Sequence, residues 1–201
     1  MDLGAVAGLY EASLAQHGES SPAVGWRDPS QHRLRFGKLA SVIEPSDGAV
    51  GVNDLGCGYG AFLPFLREAG VAVAHFRGYD ISAQMVARAR AKFPEGEFRV
   101  GDRLDEPADF SFACGIFNVR LTHSEEAWRE HILRTLENLA AFSRRGFAFN
   151  LLTTHVDYRE PHLYYGDPCF FFEHCRRSFG RRIALLHGAP PYEWTIAIRL
   201  A

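Results

Sequence analysis

From residue 49 onward, the hydrophobic and polar positions define two alternating kinds of segment. Short apolar runs, which favour strands, are followed by stretches in which apolar residues recur every three or four positions, as in amphipathic helices. The predicted strands are 49–55, 73–80, 97–102, 109–118, 146–152, 182–187 and 193–200, and the predicted helices are 60–70, 82–93, 124–143 and 168–179. This alternation predicts a mainly parallel sheet with helices on both faces.

The two ends of the chain depart from this alternation. Segments 182–187 and 193–200 are joined by a Gly/Pro-rich loop without a helix, which predicts an antiparallel pair at the end of the sheet. Residues 1–44 are helix-like and polar, interrupted by the loop-like stretch 18–30. They are predicted to pack on the fold or to cover its site as a lid.

Composition and charge narrow the class of protein. A chain of 201 residues with 47% hydrophobic content can bury one core without a second domain. A formal net charge of -2 gives no field that would gather nucleic acid or an anionic membrane, and no apolar run approaches the roughly 20 residues of a membrane span. These features predict a single domain over residues 1–201 that binds neither nucleic acid nor membrane.

Cysteine usage predicts a reduced, cytoplasmic protein. The cysteines form no C-x-x-C pair, and no secretory signal opens the sequence. Cys169, His174 and Cys175 share a helix-like segment but lack two further ligands at usable spacing. No metal site is therefore predicted.

Glycines at every second position follow the first predicted strand. In an open α/β sheet this turn is where ligands bind, and Gly56, Gly58 and Gly60 let a ligand approach the backbone closely. Asp80 ends the next strand, where a carboxylate can hold the hydroxyls of a ribose. The turn and the acid together predict a ligand that contains adenosine.

The acid ahead of the turn helps to choose between two such ligands. The spacing also fits the G-x-G-x-x-G/A pattern of NAD-binding proteins. Asp54, however, would repel a pyrophosphate and attract an ammonium group. S-adenosylmethionine carries an ammonium and a sulfonium and has no phosphate, so this cofactor is favoured.

Four segments, in order, resemble the motifs of the class I S-adenosylmethionine-dependent methyltransferases. They are "DLGCGYG", "GYDIS", "FRVGD" and "FACGIFN". The resemblance covers about residues 45–201 and implies an enzyme with a Rossmann-like, doubly wound α/β fold, in which the seven-stranded sheet is mainly parallel and the last strand antiparallel. The cofactor contacts that these motifs predict are Asp54, Gly56, Cys57, Gly58, Asp80, Ile81, Asp102, Arg103 and Gly115. The predicted lid adds Tyr10 and Trp26, and Arg35 as a partner for the cofactor's carboxylate.

Two departures from the family pattern bear on the acceptor. Many members that act on small molecules have histidine just after the fourth strand, where this chain has Asn118 and Val119. "FNVRL" also lacks the acid or Asn followed by Pro-Pro and an aromatic residue that members acting on exocyclic amines of DNA carry. The predicted catalytic residues are Asn118, His123 and His155, and the predicted substrate contacts are Asn118, His155, Tyr158, Tyr164 and Tyr165.

The compact core and the predicted lid suit methyl transfer to a small molecule. Such a transfer depends mainly on alignment and exclusion of water, so no catalytic triad is required. Three alternatives stay open: other chemistry at the sulfonium, a non-catalytic cofactor-binding subunit, and NAD-dependent hydride transfer. The sequence specifies neither the acceptor atom nor the oligomeric state.

Overall fold

The computed structural model describes residues 3–17 and 29–200. The helices are α1 (Gly4–His17), α2 (Pro29–Ala40), α3 (Phe62–Glu68), α4 (Ala83–Lys92), α5 (Glu125–Ala141) and α6 (Pro168–Phe179), with a short 3-10 helix at Pro45–Asp47. The strands are β1 (Val50–Leu55), β2 (Val73–Asp80), β3 (Glu97–Val100), β4 (Ala108–Ala113), β5 (Ser143–Thr153), β6 (Tyr165–Gly166), β7 (Arg182–His187) and β8 (Glu193–Arg199).

The strands form one sheet in the order β3-β2-β1-β4-β5-β8-β7, and the two-residue β6 pairs with β5 outside this path. Strand β8 is antiparallel to both of its neighbours, whereas β1 to β5 pair in parallel. The predicted seven-stranded, mainly parallel sheet with an antiparallel last strand is therefore confirmed. Because β1, β2 and β4 run in one direction, their carboxyl ends meet at one edge of the sheet.

Two apolar layers cover the faces of the sheet. One joins α5 and α6 to the sheet, with Trp128 and Phe171 fully buried, and the other joins α2, α3 and α4 to it through residues such as Phe62. Alternate residues of β5 enter opposite layers: Phe147 and Phe149 lie in the first layer and Ala148 in the second. A strand buried on both faces has a continuous apolar sequence, which is why this segment is recognisable.

Local signals also agree with the predicted helix starts. The Ser124 hydroxyl accepts a hydrogen bond from the Ala127 N–H at 3.2 Å, which confirms the predicted N-cap of α5. Ser82 caps α4 in the same way, through the Met85 N–H at 3.1 Å. None of the helices in the described part of the chain is long and apolar enough to cross a bilayer.

Candidate active site

A cleft opens at the carboxyl ends of β1, β2 and β4. With its mouth it encloses about 1020 Å³, and its walls come from the glycine turn after β1, the ends of β2 and β4, and helices α1, α2 and α5. Of the predicted cofactor contacts, Tyr10, Asp54, Gly56, Cys57, Gly58, Asp80, Ile81, Asp102 and Gly115 line this cleft. The four motifs thus converge on one site, although they are spread over some 60 residues of sequence.

The glycine turn is held against the end of β2 by hydrogen bonds. The N–H groups of Gly56 and Cys57 both donate to the carbonyl of Tyr79, at 2.7 and 3.0 Å. Gly56 adopts φ 76°, in the left-handed region that favours glycine. A Cβ at this position would also lie 2.0 Å from Cγ2 of Ile116, a side chain of the cleft wall. Sterics therefore require glycine here.

Replacing Gly56 with alanine is expected to destabilise the protein by more than the backbone strain alone. Gly70 is a matched control, because it has φ 79° and open space around its Cβ position. Both substitutions incur about 1–2 kcal/mol of left-handed strain, and Gly56→Ala adds about 1–3 kcal/mol by displacing Ile116. Chemical denaturation of the two variants measures the difference, and equal losses of unfolding free energy would contradict this account of the turn.

Asp80 is positioned by two backbone donors at the end of β2. Its Oδ2 accepts from the Gly58 N–H at 2.8 Å, and its Oδ1 accepts from the Ser82 N–H at 2.9 Å. Burial raises the pKa of Asp80, and the two N–H groups partly offset this by stabilising the charged form. The carboxylate is thus fixed in orientation while its side chain still lines the cleft.

Asp54 is a second carboxyl that lines the cleft, and only 3% of its surface is exposed. Burial, and then the nearby charge of Asp80, raise the pKa of Asp54 to about 8. Without a cation beside it, Asp54 is therefore largely protonated at neutral pH. A cation placed beside it would favour its ionised form.

The charge of the lining indicates what the cleft can hold. Among the described residues that line it there are three acids, Asp54, Asp80 and Asp102, and neither Lys nor Arg. A pyrophosphate would meet Asp54 and Asp80 without a compensating Lys or Arg among the described lining residues, which argues against NAD. A nucleoside that carries an ammonium group fits the same three acids.

Helices α1 and α2 supply part of the cleft wall. Leu3 and Tyr10 line it from the first helix segment, and Leu14 packs with Tyr59 and Met85 beside the glycine turn. Burial, followed by the charge of Asp80, raises the pKa of Tyr10 to about 12, so the phenol stays protonated. The predicted contact Trp26 lies outside the described residues.

Arg35 does not line the cleft, in contrast to the predicted contact with the cofactor's carboxylate. Its side chain is fully buried, and its Nε donates to Oε2 of Glu193 at 2.8 Å. Its Nη2 also donates to the hydroxyl of Tyr192 at 3.1 Å. This ion pair ties α2 to the start of β8, which a pattern based on helix spacing cannot reveal. Arg103 is exposed and also lies outside the cleft lining.

The predicted catalytic histidines lie elsewhere. His123 stacks on Trp128 with 5.7 Å between ring centroids, at the start of α5. His155 is exposed, and its ring centroid lies 6.2 Å from that of His187. Asn118 is 5% exposed, its carbonyl accepts from the Tyr164 N–H at 2.8 Å, and its Oδ1 has no hydrogen-bond partner among the described residues. None of these three side chains lines the cleft.

The predicted aromatic pocket after β5 does not form around the cleft. Tyr158 is 70% exposed, and Tyr164 is buried in the apolar layer beside α5, where burial raises its pKa to about 12. The Tyr165 hydroxyl accepts from the Glu160 N–H at 2.9 Å, within its own loop. The Tyr164 ring thus packs in the core, and the Tyr165 hydroxyl stabilises its own loop.

Several lining residues were missed from the sequence. The main ones are His32 and Phe36 on α2, His131 and Thr135 on α5, and Cys114 after β4. Each helical pair is spaced i, i+4, so a single face of the helix points at the cleft. That periodicity was visible, but which face of each helix meets the site depends on the tertiary packing.

Comparisons with known proteins agree with the arrangement of the cleft. Residues 52–142 match a family described as "Methyltransferase domain". A protein of Mycobacterium tuberculosis (strain ATCC 25618 / H37Rv) that carries the name of a methyltransferase is 44% identical over 155 residues, which span 75% of this chain and 93% of that protein.

Solved structures show the same fold at low sequence identity. Magnesium protoporphyrin IX methyltransferase from Synechocystis PCC 6803, with S-adenosylmethionine bound, has a TM-score of 0.63 at 17% identity and covers 86% of this chain and 81% of that one. Mitomycin 7-O-methyltransferase has a TM-score of 0.64 at 14% identity, over 96% of this chain and 60% of that one. The methyltransferase domain of a bacterial CtHen1 has a TM-score of 0.64 at 15% identity, over 85% and 99%.

Proposed function

The chain belongs to the S-adenosylmethionine-dependent methyltransferases, and we propose that its methyl acceptor is a small molecule held in the cleft that α1 and α2 help to line. The observation that carries the proposal is the lining of the cleft, which contains three acids among mainly apolar and aromatic side chains and, among the described residues, neither Lys nor Arg. A nucleic acid strand requires the opposite charge along its path.

The residues of the cleft fit the cofactor in three places. Asp80 would hold the ribose hydroxyls, Asp54 the methionyl ammonium, and Asp102 would lie at the adenine end. When bound, S-adenosylmethionine supplies an electrophilic methyl group on a sulfonium. The chain's own contribution is to orient this group, to keep water away from it and to place an acceptor in line with it.

The enclosure of the cleft supports a compact acceptor. Tyr10 on α1, Leu3 just before that helix, and His32 and Phe36 on α2 border the cleft, so a reacting group inside would be shielded from solvent. Two of the structural neighbours carry the names of small acceptors, magnesium protoporphyrin IX and mitomycin. A sheet of this topology is therefore compatible with acceptors of that class.

The proposal is tested by following the label from S-adenosylmethionine that is isotopically labelled in its methyl group. The purified protein is incubated with a cell extract divided into low-mass metabolites, nucleic acids and proteins. We expect label in the low-mass fraction, with S-adenosylhomocysteine as the nucleoside product. Label confined to nucleic acid or protein would contradict the proposal, and methylthioadenosine as the product would show that another sulfonium bond is cut.

A further inference from the structure

A buried asparagine on β5 contacts the cleft wall from behind. Asn150 is fully buried, and its side chain does not line the cleft. Its Oδ1 accepts a hydrogen bond from the N–H of Gly115 at 2.7 Å, and Gly115, with φ 74°, does line the cleft. The side chain of Asn150 therefore fixes one peptide of the site from outside the site.

That peptide joins Cys114 to Gly115, just past the paired part of β4. The pairing of β4 with β1 and with β5 ends at Ala113, so regular strand pairing stops before this peptide. The peptide is trans, and a trans peptide points its N–H and its carbonyl in opposite directions. Because the Gly115 N–H is turned towards β5, the Cys114 carbonyl is turned towards β1, on the other side of β4.

The other end of the Asn150 amide faces Glu193 on β8. Asn150 lies opposite Thr195 in the antiparallel pairing of β5 and β8, and Glu193, two residues before Thr195, faces the same side of the sheet. Burial raises the pKa of Glu193, and Arg35 and then the Asn150 amide partly offset this. Nδ2 of Asn150 makes no direct hydrogen bond with a described residue, so it acts on the carboxylate from a longer distance. An N–H donor at one end and a carboxylate at the other favour a single orientation of the amide, with its oxygen towards Gly115.

The ion pair between Arg35 and Glu193 extends these contacts to α2. The Arg35 Nε donates to Oε2 of Glu193 at 2.8 Å, and both side chains are fully buried. The contacts therefore run from α2 through β8 and β5 to a peptide of the cleft, in the order Arg35, Glu193, Asn150 and Gly115. A side chain on α2 that does not reach the cleft is thus connected to its wall.

Strand order indicates which part of the cofactor lies beside this peptide. Asp102 follows β3, Asp80 ends β2 and Asp54 lies in β1, and the sheet runs in the order β3-β2-β1-β4. With the adenine at Asp102 and the ribose at Asp80, as proposed above, the methionyl part extends to β1 and β4. The peptide 114–115 therefore lies at the amino acid end of the cofactor.

We propose that Asn150 is a positioning residue for cofactor binding: by holding the Gly115 N–H, it orients the Cys114 carbonyl to accept a hydrogen bond from the amino group of the methionyl part. The inference rests on the proposed placement of the cofactor, and it holds for any methyl acceptor. An aspartate at position 150 would place a second carboxylate beside Glu193, whereas a leucine would leave the Gly115 N–H buried without an acceptor.

The inference is tested with two ligands that differ at the amino acid end. S-adenosylhomocysteine carries the amino acid part, and 5′-methylthioadenosine has the same adenosine and sulfur without it. Asn150→Leu should weaken binding of S-adenosylhomocysteine by about tenfold, the effect of one buried hydrogen bond, and change that of 5′-methylthioadenosine by less than about twofold. Asn150→Asp keeps an oxygen for the Gly115 N–H, so it should lose less affinity for S-adenosylhomocysteine than Asn150→Leu does.

Asn138→Leu is the matched control. Oδ1 of Asn138 accepts from the Leu104 N–H at 2.8 Å, so this variant removes a bond of the same kind, but neither residue lines the cleft. The ratio of the two ligand affinities should therefore stay as in the wild type.

A measurement on the wild-type protein keeps the test independent of whether the variants fold. The sequence has two Cys–Gly peptides, 57–58 and 114–115, so a carbon-13 label on the cysteine carbonyls and a nitrogen-15 label on the glycines give two correlated NMR signals. We expect both ligands to shift the 57–58 signal, because the Gly58 N–H donates to Asp80, and S-adenosylhomocysteine alone to shift the 114–115 signal. Without ligand, the Gly115 N–H should exchange slowly with solvent, since it is bonded to a buried oxygen.

Four results would overturn the role of Asn150: equal losses of affinity for both ligands in Asn150→Leu, equal losses in Asn150→Leu and Asn150→Asp, a 114–115 signal that S-adenosylhomocysteine leaves in place, or fast exchange of the Gly115 N–H. None of them involves a methyl acceptor, so each would leave the proposed function standing. Label confined to macromolecules in the methyl-transfer experiment would reject the proposed function and leave the role of Asn150 in place.

Discussion

Asp54→Asn is expected to weaken S-adenosylmethionine binding at pH 8 by about 10- to 150-fold, which corresponds to a lost charge-assisted hydrogen bond of roughly 1.5–3 kcal/mol. The same substitution should stabilise the empty protein, because a buried carboxylate beside Asp80 is costly to ionise. Calorimetry gives the dissociation constants, and thermal melts without ligand give the stability.

The pH dependence of the protein's stability follows from the direction in which the pKa of Asp54 is shifted. The pKa of Asp54 is raised from 3.8 to about 8 in the folded protein, so the folded state binds this proton more tightly than the unfolded chain does. Its contribution to stability is fully present below about pH 4 and is lost as the pH rises towards 8. Asp54→Asn should therefore match the wild-type stability near pH 4 and exceed it by at least about 1 kcal/mol at pH 8.

Cofactor affinity should change with pH in the opposite sense. Pairing with an ammonium requires ionised Asp54, so below about pH 8 binding releases a proton and affinity rises with pH. Above that range the ligand's own amino group begins to lose its proton, and the gain ends. Titrations in buffers of different ionisation enthalpy count the released protons. An equal count for wild type and Asp54→Asn would contradict the assigned pairing, and the exposed Asp157→Asn serves as the control.

Asp80→Ala is expected to reduce cofactor affinity by at least as much as Asp54→Asn does. The carboxylate accepts from the Gly58 and Ser82 N–H groups, so its removal takes away the predicted ribose contact and also loosens the glycine turn. A loss of about 100-fold or more in affinity is expected, since two hydrogen bonds to a charged group are involved.

A second substitution separates these two effects. Asp80→Asn keeps an oxygen acceptor for one of the two backbone donors and loses the negative charge, so it should loosen the glycine turn less than Asp80→Ala does and still bind weakly. Replacing S-adenosylhomocysteine with its 2′-deoxyribose analogue should cost the wild type several-fold to tenfold in affinity and cost Asp80→Asn much less. An unchanged ratio between the two ligands in both proteins would show that Asp80 does not contact the ribose.

The sheet was predictable because each strand has a local signal. Strands buried on both faces have continuous apolar sequences, and the glycine turn has its own spacing. The extent of β5 was harder to predict: it begins at Ser143 instead of 146, because Ser143 pairs with Ala108 of β4, and Arg145 pairs with Asp47. These partners are far apart in sequence, so no local pattern records them.

The same distinction, between positions with a local sequence signal and positions set by distant partners, applies to the candidate site. Asp54, Asp80 and Asp102 lie at or just after the carboxyl ends of β1, β2 and β3, and they line the cleft as their positions in the sequence suggested. For residues of the helices and long loops, the local sequence pattern did not indicate which side chains line the cleft. Arg35 is paired with Glu193 on the last strand, and His32, one turn earlier, reaches the cleft instead. Which of two neighbouring polar residues faces a site is decided by partners that only the folded chain brings together.

The central claim is that the carboxylates of Asp54 and Asp80 bind a cationic nucleoside without phosphate across the glycine turn. A crystal structure with S-adenosylhomocysteine bound tests it most directly. The account predicts the ribose hydroxyls within hydrogen-bond distance of Asp80 and the amino group within reach of Asp54, directly or through one water. A ligand bound with its ribose and its amino group turned away from both acids would contradict it.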